Sequence, residues 1–411
     1  MKNLKNFIIE SYDDYLKLSK VDKEKLLALD LEYGKLMLIS RYETSIRTID
    51  NLSEEWDNFK KNYIENGKKY FPIIKHPPLE YEKYDLENRV NKLIKQFENF
   101  DCPLSKYYII SLESIINRIH VIQSIENNVY KISSSKINSI KDDILDKAFD
   151  IARNIPFTNM KDIIEQDKDF ERNITGKKIE NIIEDALKEL NYDWKIVVNN
   201  TMPPRMGVNP EKTFRIRTTA HFSKVDVESL IAHEIKAHVA KRYYGYQTGL
   251  FLFVFGLTGR NTFDEGLAIW NSLNLTTKNK PYALSAIAFS YITCYYASKY
   301  NFCECFDKLK TLYEGQAVSD NKIFRQLMRL KRSTGRTDLL GFWGGDKDYF
   351  EGYLIVDNMT TEERKTILKW NIGKDDYYNI PMFEKFIKNN EFTPISNERL
   401  KLITKDYKFK Y

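Results

Sequence analysis

Apolar residues recur at mixed three- and four-residue intervals along most of the chain, the spacing of amphipathic helices. VDKEKLLALDLEYGKLMLISRYETSIRTIDNL within residues 1–70 reads this way, as do segments 84–126, 137–152 and Gly176–Leu190. A proline break at Pro72, Pro77 and Pro78 follows the first of them. After Asn191 the pattern changes. Trp194–Val198 and Thr213–Thr218 are short β-branched or aromatic runs bounded by Asn, Pro and Gly, which predicts two strands, with Gly207 and Pro210 in their connection. A helix then opens on Ser223 and Asp226 in an S-x-x-D capping box, with Val227, Leu230, Ile231, Ile235 and Val239 on its apolar side and Gly245 as its stop. A connection through Gly249–Arg260 leads to a second helix opening at Thr262, and a third runs from Pro281 to about Tyr300.

The order strand, strand, helix, loop, helix, helix in an otherwise helical chain predicts an α+β, mostly helical fold with a small sheet before the first of these helices. No repeat and no Gly/Ser- or Pro-rich linker is visible. The expected organisation is an N-terminal helical extension over 1–70 and a main domain over 71–411, helical in 71–170 and carrying its chemistry in 171–360.

Charge narrows the function classes. The 64 basic and 58 acidic side chains leave a formal charge of +6, with no Lys/Arg run dense enough to follow a phosphate backbone, so nucleic acid is not an expected partner. The most apolar segments, Leu250–Leu257 and Tyr282–Ala297, fall short of the roughly 20 residues that span a bilayer, so no membrane partner is expected either. The first apolar stretch is broken at once by Glu10, Asp13 and Asp14, unlike a secretory signal. Cys102, Cys294, Cys303 and Cys305 are too few and too unevenly placed for a disulfide framework and read as reduced thiols of a cytoplasmic protein.

The chemistry sits on the helix after the strands, in His233-Glu234-Ile235-Lys236-Ala237-His238. A zinc hydrolase needs two neutral imidazoles, a third ligand, an open position for water and a carboxylate to take that water's proton. The usual H-E-x-x-H spacing sets the imidazoles about 40° apart on a helix, whereas five residues separate them by about 140°. A π-bulge absorbs one extra residue, so H-E-x-x-x-H predicts a local distortion between Glu234 and His238. The bland alternative is two helix-surface histidines and a solvated acid, which an otherwise apolar helix disfavours. Glu265, in Asp264-Glu265-Gly266-Leu267-Ala268, is the candidate third ligand. Two alternatives stay open: Thr262 and Glu265 also spell a T-x-x-E capping box, and Asp264 could be the ligand itself or an acceptor for an imidazole N–H.

Together, His233–His238 and Glu265-Gly266-Leu267-Ala268 resemble the tyrosine carboxypeptidase family, which includes the microtubule-associated tyrosine carboxypeptidases and bacterial proteins named for a Q-E-G-L-A motif. Pro77-Pro78-Leu79-Glu80-Tyr81 is similar to the family's P-P-L-x-Y entry, and Phe222-Ser223 to its F-S lead-in. Arg329, Arg332, Asp346, Tyr349 and Gly352 resemble a later stretch of paired basic residues and D-x-x-Y-x-x-G. The resemblance covers roughly residues 70–400. The chain departs from it at Lys236-Ala237 (usually Gly-Thr or Gly-Val), at Asp264 (usually Gln) and at Gly345 (often Lys), which puts substrate preference in doubt and leaves the ligands intact.

The resemblance implies a thermolysin-like zinc metallopeptidase core with one zinc per chain on His233, His238 and Glu265. Glu234 would be the base that helps water cleave a C-terminal residue, tyrosine or another large one, from a peptide or protein tail. A cation must then hold the terminal carboxylate, with Arg332 as first candidate and Arg329 as second, although both also fit a solvated basic face. Tyr349 could donate to the developing oxyanion or simply pack. The strand Thr213–Thr218 is the expected edge for an extended peptide. Competing readings are a thermolysin-like aminopeptidase or dipeptidyl peptidase, and an inactive zinc-bearing binding protein. The terminal Tyr411 is itself of the type such enzymes remove, but 27 tyrosines in 411 residues account for it by composition.

Overall fold

The computed structural model describes residues 16–40, 48–77, 85–126, 142–200, 205–276, 278, 280–332, 334–342 and 345–405. Pro78–Tyr81 and Tyr411 lie outside them.

Helices dominate, as the periodicity predicts, and the strands are short. In chain order the helices that build the site and its support are α1 (Lys20–Ile39), α2 (Leu86–Glu98), α3 (Ser105–Glu126) and α4 (Gly176–Glu189). A continuous rod, α5, follows: α-helical over Lys224–Leu230, π-helical over Ile231–Val239 and α-helical again over Ala240–Gln247. Then come α6 (Phe251–Phe255), α7 (Asn261–Leu275), α8 (Lys280–Lys299), α9 (Phe302–Leu312), α10 (Asp320–Lys331), α11 (Asp346–Asp357), α12 (Ile380–Asn390) and α13 (Asn397–Thr404).

Among the described residues, five strands lie between α3 and α5: β1 (Ile174–Thr175), β2 (Lys195–Asn199), β3 (Met206–Asn209), β4 (Thr213–Arg217) and β5 (His221–Phe222). β2, β4 and β3 form one sheet in that order, β2 parallel and β3 antiparallel to β4, while β1 pairs with β5. Two expectations change here. Gly207, expected in a connection, lies within β3 opposite Arg215. The strand expected over Thr213–Thr218 as an edge is observed as β4, Thr213–Arg217, at the centre of its sheet with both hydrogen-bonding sides taken. A four-residue strand containing glycine is too short to show a period, which is why β3 escaped the pattern.

Gly245 does not end the central helix, which runs on to Gln247. The backbone of α6 lies against this glycine: a Cβ there would meet the Phe253 carbonyl oxygen at 2.6 Å and Val254 Cα at 2.9 Å. The glycine therefore serves close packing between successive helices rather than a stop.

The main core gathers Tyr33 and Leu36 of α1, Phe97 of α2, Tyr108 of α3, Ile183 of α4, Phe214 and Ile216 of β4, and Phe251–Phe255. A second core lies between α8, α9 and α10. At the centre of the first is the fully buried Asp30. It accepts from the Tyr108 hydroxyl (2.7 Å), the backbone amides of Phe251 (2.9 Å) and Leu252 (3.1 Å), and the Arg399 guanidinium (2.8 Å). Arg399 also donates to the Gly249 carbonyl. One carboxylate thus ties α1, α3 and α13 to the first turn of α6, whose amides have no intrahelical partners.

Asp30→Asn keeps the shape but turns one acceptor into a donor facing other donors, and leaves Arg399 without its counter-charge. We expect a loss of about 3–5 kcal/mol of stability, the scale of breaking a buried ion pair. Denaturant unfolding measures it, and a loss below about 1 kcal/mol would be incompatible with this role.

Candidate metal centre

The rod α5 is anchored before it reaches the histidines. Ser223 Oγ accepts from the Asp226 amide at 2.9 Å and Asp226 accepts from the Ser223 amide at 3.2 Å, closing the predicted capping box. Asp226 is also gripped by Arg205 (2.8 Å) and Arg172 (3.0 Å). The helix then switches to π hydrogen bonding over Ile231–Val239. Bonds that close over five residues bring side chains five apart onto nearly one face. His233 and His238 accordingly converge, with their Nε2 atoms 3.3 Å apart. The register change displaces backbone carbonyls, and α7 supplies a donor for this stretch, Asn271 Nδ2 to the Lys236 carbonyl at 3.3 Å. The Ser272 hydroxyl lies 2.9 Å from the Ala268 carbonyl of its own helix and 3.3 Å from that of Ser229, just before the stretch.

The same helix α7 delivers the acid. It begins at Asn261, one residue before the expected start, so Thr262 lies inside it and the T-x-x-E capping box does not form. Thr262 Oγ1 donates instead to Asp348 at 3.2 Å. Glu265 turns to the histidines, its Oε2 lying 3.6 Å from His233 Nε2 and 3.7 Å from His238 Nε2. Asp264 lies behind, accepting from His238 Nδ1 at 2.9 Å. With the proton on Nδ1, His238 Nε2 presents a lone pair to the centre, the usual arrangement behind a metal-binding imidazole.

The donor set fits a divalent cation such as zinc. Glu265 Oε2 is buried and has no hydrogen-bond partner, which is costly unless something positive satisfies it. A point equidistant from the three atoms lies about 2.1 Å from each, within the range of zinc bonds to imidazole nitrogen and carboxylate oxygen, about 2.0–2.2 Å. Burial, aided by the nearby His238, pushes His233 down to about 3 and keeps it neutral. Burial alone would lower His238 too, but the charge and hydrogen bond of Asp264 win and lift it to about 9. Burial also lifts Glu265 to about 7. Without a cation, protons compete for this point, so loading a metal releases them. The side chains of the three residues keep 12–23% of their exposure.

Glu234 follows His233 on the same π turns and is half-buried. Burial raises its carboxyl above the ordinary range, with the His238 charge pulling the other way.

α7 packs most extensively against α11 and next against the π stretch of α5. Gly266 and Gly352 face each other where α7 and α11 cross. A Cβ on Gly352 would collide with the Thr262 carbonyl oxygen and come within 2.8 Å of Gly266 Cα. The glycines of E-G-L-A and D-x-x-Y-x-x-G thus form one contact, beside the acid that completes the triangle.

The remaining candidates lie on α10, α11 and the residues after them. Arg329 forms an ion pair with the buried Asp346 through its Nε, at 2.8 Å. The Arg332 carbonyl is held by His76 Nε2 at 2.8 Å. Tyr349 packs beside Ile269, Leu273 and Tyr353, where α7 meets α11. Sequence reasoning missed Asn271 and Ser272, although Ser272 lies seven residues after Glu265 and so on the same helical face. It also missed Lys241, which is buried beside Asp264.

The sequence matches the family model of the microtubule-associated tyrosine carboxypeptidases over residues 59–397. Comparison with curated proteins gave no match. Among solved structures, the chain resembles that of a candidate lipoprotein from Colwellia psychrerythraea with a TM-score of 0.37 and 10% identity, covering 79% of this chain and 66%, just under two thirds, of that one.

Gly352→Ala touches no candidate ligand, yet it must push α7 away from α11 and carry Glu265 with it. We expect it to lose zinc at least tenfold more readily than wild type to a competing chelator, a lower bound set by the effect of outer-shell changes, about 10–100-fold. His233→Ala and His238→Ala should abolish binding. Undiminished zinc in Gly352→Ala would mean that the crossing does not set the position of Glu265.

Proposed function

The chain belongs to the microtubule-associated tyrosine carboxypeptidase family, and from that premise we propose that it is a zinc-dependent metallocarboxypeptidase acting on the C-terminal tail of a peptide or protein. The leaving residue is tyrosine or another large one. The observation that carries the reading is the triangle of His233 Nε2, His238 Nε2 and Glu265 Oε2, three lone pairs aimed at one point. Two histidines from one helix and an acid from a following helix is the thermolysin-like arrangement. Zinc, when held there, supplies a Lewis acid that polarises a carbonyl and lowers the pKa of water to about 7.

The chain's own residues do the rest. Glu234, made more basic by burial, takes the proton of the attacking water and returns it to the departing amine. Arg332 pairs with the terminal carboxylate of the substrate, with Arg329, already bound to Asp346, as second choice. Tyr349 donates to the oxygen that gains charge as the carbonyl is attacked. The peptide lies along β3, which has one side on β4, packs beside the π stretch and has no strand on its other side among the described residues. The four cysteines are free and buried, which suits a reducing cytoplasm. No helix among the described residues is long and apolar enough to cross a membrane.

Incubation of the zinc-loaded protein with a peptide mixture, read by mass, tests the proposal. Single residues should leave the C-terminus, and amidated peptides should persist, because an amide leaves the anchoring cation unpaired. Glu234→Gln should keep fold and zinc but lose about a hundredfold or more in turnover. Shortening from the N-terminus would identify an aminopeptidase, and equal cleavage of free and amidated peptides an endopeptidase.

A further inference from the structure

Lys241 is 1% exposed, and its ammonium is buried with no hydrogen-bond partner. It lies 3.7 Å from Asp264 Oδ1, the same oxygen that accepts from His238 Nδ1. On α5 it comes three residues after His238, just past the π stretch. Burying an ammonium costs several kcal/mol even after relaxation, and a methionine of similar length would fill the space without that cost. The ion pair this charge makes is with Asp264.

We propose that Lys241 is a positioning residue for the metal centre: its charge fixes the Asp264 carboxylate, which in turn fixes the ring of His238 so that Nε2 faces His233 and Glu265. The inference rests on the metal reading above and extends it one step outward. A carboxylate held only by an imidazole N–H can swing about its Cβ–Cγ bond. Held also by an ammonium on the helix that carries the imidazole, it has one orientation. The geometry couples Lys241, Asp264 and His238 through a single oxygen, so removing either outer member should cost the same interaction. Arg260, at the start of α7, adds a second positive field on Asp264 without a direct ion pair among the described contacts.

The test is zinc affinity of the full chain, measured by competition with a chromogenic chelator at one fixed pH, with thermal unfolding of the zinc-free proteins as the folding control. Lys241→Met should bind zinc about 10–100-fold more weakly than wild type, the usual effect of losing an outer-shell partner. Lys241→Gln, more tolerant of a polar surrounding, should show the same direction if the methionine variant does not fold. Lys241→Arg should recover most of the affinity. Asp264→Asn should lose a similar amount, and the double variant with Lys241→Met should lose little more, since neighbours acting through one interaction are not additive. Folded Lys241→Met and Lys241→Gln with wild-type affinity, or losses that multiply in the double variant, overturn the proposal. Zinc binding unchanged in His233→Ala would instead overturn the metal reading itself.

Discussion

Three donor atoms that present lone pairs to one point only when deprotonated have to be held within 3.7 Å of each other by two helices that share no covalent link nearer than the loop between them. Nothing in hydrophobic packing favours this. Two neutral imidazole nitrogens and a desolvated carboxylate oxygen gain nothing from proximity until a cation or a proton joins them. The surrounding structure must impose the arrangement, and much of the local architecture is the means of doing so. The π stretch turns His233 and His238 the same way, α7 brings Glu265 to meet them, and the Gly266–Gly352 crossing lets α11 press α7 into place.

That pressure needs something to push against. α7 is reached from α5 through Gly249, α6 and the turn to Arg260, and this connection is pinned to the core by Asp30 through the Phe251 and Leu252 amides. Asp30 also holds Arg399 near the C-terminal end of the described chain. Segments far apart in sequence therefore fix one short helix, and that helix sets how α5 and α7 leave each other. Helix α1 precedes the family match at residue 59, yet it contributes the pivotal carboxylate and packs into the same core as the central rod. The length of chain that matches the family and the length that supports the site are not the same.

The sequence disclosed the parts whose signal is local. The capping box of Ser223 and Asp226 is legible because both partners lie within one turn. The register conflict of H-E-x-x-x-H was legible because two imidazoles cannot face one point five residues apart on an α-helix, and its extent, Ile231–Val239, was not. Local spelling also misled. Thr262 and Glu265 have the spacing of a capping box, but the start of α7 was decided by packing against α11 and α5, which shifts it one residue and frees Glu265. Gly245 reads as a stop and is a close-packing position. The partners of Asp30 and the pairing of Gly266 with Gly352 join residues 78 or more positions apart, which no local window contains.

The π stretch shows why site and scaffold form one unit. The family pattern that the chain resembles usually has a glycine where this chain has Lys236, yet the altered register forms here without glycine's freedom. A displaced carbonyl must find a donor or water, and Lys236 is exposed, so water is available on that side. Its carbonyl nevertheless accepts from Asn271, on the helix that carries Glu265. The departure from α-geometry that aligns the histidines is thus braced by the element that completes their ligand set. Neither helix has its present form without the other: a straight α5 would leave Asn271 without this acceptor and Glu265 with one histidine, and a displaced α7 would leave the π turn's carbonyl to solvent. The geometry of the π stretch and the position of Glu265 are thus linked through this contact as well as through the Gly266–Gly352 crossing.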